Sequence, residues 1–155
     1  MTAEHEAFMR RCLTLAENAL ANGETPVGAL LVRGGRVIAE ATESTRREYD
    51  PTAHAEVQAI RAACRHDQSL DLTGCTLYTT VEPCVLCGYV IRRAGVGRVV
   101  YGVETGQAGA VTSRYAILAD TALAGWPPPP DIVAGVLPRE CRDLLDRRVT
   151  RAGGA

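Results

Sequence analysis

The sequence predicts an α/β protein whose central sheet is covered by helices on both faces. Three observations predict it. Helix-period and β-rich segments follow one another in the order α-β-β-α-β-α-β-α-β-α. Two of the β-rich segments, 27–32 and 98–103, are short apolar runs of strand length. The 155 residues suit one domain with a full core, and neither a repeat nor a linker divides them.

Residues 3–20 read as an amphipathic helix. Phe8, Cys12, Leu15, Ala16 and Ala19 recur at helical spacing, Glu4 and Glu6 occupy the first turn, and Asn22-Gly23 ends it. The runs 27–32 and 37–41 flank the turn Arg33-Gly34-Gly35-Arg36 as a β-hairpin. Residues 43–49 are polar and charged, and read as a loop. Asp50-Pro51-Thr52 precedes a helix over 53–64, with Val57, Ile60 and Ala63 on its apolar face. Residues 76–80 read as a strand that Pro83 breaks, 84–93 as a helix and 98–103 as a buried strand. The stretch 106–112 is small and flexible, and 115–123 reads as a short helix. Gly125-Trp126 and the four prolines 127–130 form a stiff extended connector. Residues 132–136 are the last strand. The helix 138–148 starts on a proline, turns Cys141, Leu144 and Leu145 inward, and carries Arg147, Arg148 and Arg151 toward its C-terminal end. A single domain thus spans 1–151, followed by a frayed tail at 152–155.

Composition narrows the function. Hydrophobic residues at 46% and charged residues at 23% describe a globular chain and argue against disorder. No apolar run approaches the ~20 residues of a membrane span. The segment MTAEHEAFMRRCL has acids ahead of its bases and no apolar stretch, so no secretory signal is expected. All seventeen basic residues are Arg, and eighteen acids leave a net charge of −1. Nucleic-acid binders usually carry a basic excess, so only a local basic patch remains open here. Cysteines stand at 12, 64, 75, 84, 87 and 141. Without a secretory signal the expected location is the reducing cytoplasm, where paired cysteines more often bind metal or do chemistry than form disulfides.

Two clusters carry chemistry. Cys84 and Cys87, three apart and introduced by Pro83, place two sulfurs on one helical face in a first turn, where the helix dipole lowers thiol pKa values. Two thiolates there suit Zn2+. A lone C-x-x-C also fits a redox pair or half of a structural site. His54 and Glu56, two apart, do not share a helical face, so they are poor joint ligands of one metal. His54 as third ligand and Glu56 as a free carboxylate fit better, because three protein ligands and an open position mark a catalytic zinc site. Two thiolates cancel the zinc charge and acidify bound water less than neutral ligands do, so a carboxylate base such as Glu56 is useful. A fourth ligand from Cys75 or His66 would instead close the site and make it structural.

At these residues the sequence resembles the zinc-dependent cytidine/deoxycytidylate deaminase superfamily, whose mark is H-x-E followed by P-C-x-x-C. Asp50-Pro51-Thr52-Ala53-His54-Ala55-Glu56-Val57, the run Leu77–Cys84 and Thr25-Pro26-Val27-Gly28 are similar to the branch of guanine deaminases, yeast-type cytosine deaminases and tRNA adenosine deaminases. The resemblance implies a three-layer α-β-α sandwich with a five-stranded mixed sheet, usually assembled as a homodimer or larger. It implies zinc held by His54, Cys84 and Cys87. Water acidified by the metal attacks an amino-bearing ring carbon; Glu56 takes the water proton, protonates the ring nitrogen and helps ammonia leave. It places Val27, the backbone N–H of Ala55, the carbonyl near Glu82, and Pro83 at the substrate.

The chain also departs from that branch. Glu43 stands eleven residues before His54, where the branch usually has an Asn that bonds the substrate. An ionised carboxylate only accepts, so a Glu43 that lines the pocket suits rings presenting extra N–H donors, such as guanine-, isocytosine- or aminotriazine-like rings, whereas in a slightly different loop register it is a solvated loop acid. After the fourth strand, 102–110 lacks the basic character of the tRNA-editing enzymes. Arg142, Arg147, Arg148 and Arg151 suit phosphate or a solvated face. Tyr115, Trp126 and 127–130 lie where relatives cap the substrate; Trp126 suits stacking on a flat ring, or else packs in the core or at a dimer seam. The expected function is therefore hydrolytic deamination of a free nucleobase or related small-molecule amino-heterocycle, guanine- or cytosine-like. The alternatives are tRNA adenosine-to-inosine deamination, deamination of a nucleoside or nucleotide, and, without catalysis, a zinc-stabilised scaffold subunit.

Overall fold

The computed structural model describes residues 2–152. Its elements are α1 (Ala3–Ala21), β1 (Gly28–Arg33), β2 (Arg36–Thr42), α2 (Thr45–Glu48), α3 (Ala55–Asp67), β3 (Thr76–Val81), α4 (Val85–Ala94), β4 (Arg98–Val103), β5 (Asp131–Val133) and α5 (Pro138–Ala152). The strands form one mixed sheet in the order β2-β1-β3-β4-β5. β1 runs antiparallel to both β2 and β3, whereas β3, β4 and β5 are parallel. α1 packs over β1 and β3 and against α5, which also reaches β4; α3 packs over β2 and β1 and against α4. The result is the three-layer α-β-α sandwich. The expected frayed tail falls largely on 153–155, which lie outside the described residues. Among the described residues no helix is long and apolar enough to cross a membrane.

The apolar runs explain the core: Leu30, Leu31, Leu77, Val99 and Val100 are fully buried on central strands. Gly28 lets α1 approach β1 closely, since a Cβ there would lie 2.3 Å from the carbonyl oxygen of Cys12. Two local readings change. The loop over 43–49 contains the single turn α2, seated by the Glu24 carboxylate, which accepts the N–H groups of Arg46 at 3.1 Å and Arg47 at 2.7 Å.

The expected helix over 115–123 does not form; the segment runs as turns. The carbonyls that would build it are taken elsewhere. Buried Arg92, from α4, donates to Ile117 O at 2.6 Å, Asp120 O at 2.7 Å and Pro127 O at 3.0 Å. Leu118 is buried and its N–H bonds Ala110 O at 3.0 Å. The connection from β4 to β5 is thus ordered by a guanidinium, not by its own helix. Among the buried side-chain polar atoms of the described residues, Arg92 Nε alone has no hydrogen-bond partner. Arg92→Met removes the buried donor shared by three part-buried carbonyls, so it should cost ~3 kcal/mol by urea denaturation. A cost below ~1 kcal/mol would mean that the connection holds itself.

Candidate active site

The site lies where β2 and β3 end and where α3 and α4 begin. His54 is the N-cap of α3 and Cys84 the N-cap of α4, and neither side chain makes a capping hydrogen bond. N-caps ordinarily prefer Ser, Thr, Asp or Asn because those side chains bond back to the helix. Here the cap side chains face each other instead, and two positive helix ends converge where thiolates gain most.

His54 Nδ1 lies 3.5 Å from Cys84 Sγ and 3.5 Å from Cys87 Sγ, and the sulfurs are 3.7 Å apart. A tetrahedral zinc would hold its sulfurs ~3.8 Å apart and each sulfur ~3.6 Å from the nitrogen. The donor set fits zinc in both chemistry and spacing. Among the described residues no other group of His, Cys and acidic side chains converges in this way. Cys75 sits just before β3, at the opposite end of that strand, and His66 Nδ1 is 3.0 Å from Asp67. Neither supplies a fourth ligand.

The electrostatics prepare the trio. Hydrogen bonding with Cys87, then with His54, holds the Cys84 thiol down at about 4 despite burial. The hydrogen bond to Cys84 lifts His54 to about 9, while the bond to Cys84 and burial push Cys87 upward. A divalent cation would displace the protons of His54 and Cys87 and meet a thiolate already formed at Cys84.

Glu56 is buried beside the trio, with Oε2 3.5 Å from Cys87 Sγ. Thr79 Oγ1 donates to Oε1 at 2.8 Å and fixes the carboxylate, whose pKa burial raises. A cavity of about 360 Å3 opens on this centre, lined by Thr25, Val27, Glu43, His54, Glu56, Val81, Glu82, Cys84, Glu104, Thr105, Arg142, Leu145, Asp146 and Arg148. The wall therefore includes Val27 and Glu43. Glu43 is buried, and its Oε2 accepts the Ala55 N–H at 3.3 Å, so that backbone donor is already engaged. Thr45 Oγ1 donates to Oε1 at 3.3 Å, and burial pushes Glu43 up to about 7.

Ala55 and Pro83 are buried outside the lining. Glu82 belongs to the wall, but its carboxylate bonds the loop after β4. Trp126 does not line the cavity. Its ring packs edge-on against Tyr89 at 5.2 Å and under the Arg93 guanidinium at 5.3 Å, because the 117–130 connection is tied to α4. Sequence reasoning missed Thr79, whose signal was a hydroxyl within a buried strand. It also missed the wall from α5, where Arg142, Leu145 and Asp146 share a helical face by their spacing.

Three ligands at two helix starts, a remaining coordination position and a buried carboxylate define a zinc hydrolase centre on an α-β-α sandwich. Residues 2–103 match the cytidine and deoxycytidylate deaminase zinc-binding region, and the chain belongs to that family. It is a zinc-dependent hydrolytic deaminase. A tRNA-specific adenosine deaminase of Aquifex aeolicus is 39% identical over 118 residues, 76% of this chain and 78% of that protein. A solved structure from a study of A-to-I editing by tRNA:A34 deaminases superposes with a TM-score of 0.83 at 36% identity, covering 89% of this chain and 98% of that one. The guanine deaminase of Bacillus subtilis gives a TM-score of 0.62 at 41% identity, covering 67% of this chain and 66% of that one.

Proposed function

We propose that this chain deaminates adenosine within a tRNA, giving inosine and ammonia. The observation that carries the substrate is the likeness to tRNA adenosine deaminases along most of both chains. This reading replaces the free-base substrate expected from composition and from the acidic loop after β4. A cavity of about 360 Å3 suits one ring at a time, so an RNA presents the base as an unstacked nucleotide. Arg142 and Arg148 in the cavity wall suit the flanking phosphates. The homodimer implied by the family resemblance and the expected cytoplasmic location belong to the same reading.

Bound zinc supplies Lewis acidity that lowers the pKa of water. Glu56 receives the proton that water gives up, because its Oε2, 3.5 Å from Cys87 Sγ, faces the metal ligands while Thr79 holds Oε1. It passes that proton to the ring nitrogen next to the reacting carbon, then takes the remaining proton from the hydroxyl now bonded to that carbon and passes it to the departing amine. A C–O bond forms, the exocyclic C–N bond breaks, and one water is consumed per ammonia released.

Glu43 favours a second reading, the free ring. Its carboxylate, when ionised, only accepts, whereas the edge of adenine beside its amine offers lone pairs. A guanine-, isocytosine- or aminotriazine-like ring offers N–H groups. One panel tests both: an anticodon stem-loop with adenosine at the wobble position, adenosine, adenine, guanine, cytosine and isocytosine, scored by ammonia and inosine. Inosine formed in the stem-loop at the highest kcat/KM supports the tRNA reading; turnover confined to the free rings overturns it. Under the free-ring reading, Glu43→Asn shifts the ranking of N–H-bearing rings against adenine by at least ~10-fold. An unchanged ranking removes Glu43 from substrate recognition.

A further inference from the structure

The pocket wall contributed by Glu104 and Thr105 stands on a connection with little regular structure, and one buried side chain anchors it. Glu82 lies between the end of β3 and the ligand Cys84 and is 2% exposed. Its Oε1 accepts the N–H groups of Val111 at 3.0 Å and Thr112 at 2.7 Å, and its Oε2 accepts the Thr105 N–H at 3.1 Å. The Thr112 hydroxyl lies 3.0 Å from one oxygen and 2.9 Å from the other. These donors take up the acceptor capacity of the carboxylate, about four lone-pair sites, and leave it nothing to offer a substrate.

The same loop closes around the metal-binding turn. The Ala110 N–H bonds Pro83 O at 2.8 Å, the Val85 N–H bonds Ala108 O at 3.0 Å, and Cys84 bridges Gly109. Gly109 is required by this approach, since a Cβ there would lie 2.3 Å from Glu82 Oε1.

We propose that Glu82 is a positioning residue for deamination: its carboxylate fixes the Glu104–Thr105 wall at a set distance from the metal-binding turn, and so places the ring for attack. The proposal holds for either substrate reading, because it concerns the wall and not the ring chemistry. Misplacing a reacting group by about 1 Å is enough to cost ~100-fold.

The test is Glu82→Gln in the zinc-loaded protein. The amide keeps the shape but turns an NH2 donor toward the loop's own donors. Expected are one zinc per chain, faster hydrogen exchange across 105–112, and a KM raised at least ~10-fold for the best substrate of the panel above. Thr112→Val, which removes only the bridging hydroxyl, should raise KM ~3-fold and keeps the test alive if Glu82→Gln does not fold. A purely structural role would lower Tm and the active fraction with KM unchanged, which overturns the proposal. Loss of zinc from Glu82→Gln overturns it too, by moving the effect to Cys84, and so does an unaltered exchange rate across the loop.

Discussion

Glu56→Gln should lower kcat by roughly 10^3- to 10^4-fold while zinc stays at one per chain. Proton transfer by a positioned side chain contributes about 10^2- to 10^4-fold, and the upper part of that range applies because Glu56 handles protons twice. The substitution is close to isosteric, and the amide oxygen still accepts from Thr79 Oγ1, which now lies 2.8 Å from Oε1. The metal ligands are untouched. Stability should move the other way. Burial raises the Glu56 pKa above its unfolded value, so the ionised form opposes folding, and in the zinc-free protein that cost grows as pH rises from the unfolded toward the folded pKa. Gln carries no such charge, so zinc-free Glu56→Gln should melt no lower than zinc-free wild type at pH 8. Ammonia release, metal analysis and melting curves read the three outcomes. Turnover within ~10-fold of wild type would exclude Glu56 as the proton carrier.

The residues that were legible in the sequence are those whose constraint is local. His54-Ala55-Glu56 and Pro83-Cys84-Val85-Leu86-Cys87 each sit at the start of one helix, and short spacing alone says which side chains share a face. The strands were legible because a buried strand must be apolar whatever its neighbours are. The β4 to β5 connection was not. Its order comes from Arg92 and Glu82, which reach it from α4 and from the end of β3 across more than twenty residues of sequence. Residues 115–123 have helical propensity, but their carbonyls bond a guanidinium, and tertiary context overrode a weak local preference. The same distance effect hid the pocket. Arg142 and Arg148 read as a phosphate contact or a solvated face, and not as a pocket wall, because nothing in α5 reveals that it lies beside Thr25 and Glu104. Glu43 shows the intermediate case: its departure from the related branch was visible, whereas its bond to the Ala55 N–H needed the fold.

Cys87→Ala separates the metal from the proton carrier. Its sulfur is fully buried and lies 3.5 Å from both His54 Nδ1 and Glu56 Oε2. Without it only His54 and Cys84 remain as ligands, and a catalytic zinc needs three from the protein. Zinc should therefore fall well below one per chain after dialysis, and kcat by at least ~10^3-fold, since both the Lewis acid and its acidified water are lost. Tm should fall as well. The variant loses the stabilisation that follows from zinc binding only the folded state, and a truncated buried side chain adds a cavity cost of ~1 kcal/mol. Glu56→Gln and Cys87→Ala then share a loss of turnover but differ in zinc content and in the direction of the stability change. Cys75→Ser, at the far end of β3, is the control: it should keep zinc and turnover even where it costs packing. Stoichiometric zinc in Cys87→Ala with turnover near wild type would break the three-ligand assignment, because two ligands cannot then account for the metal.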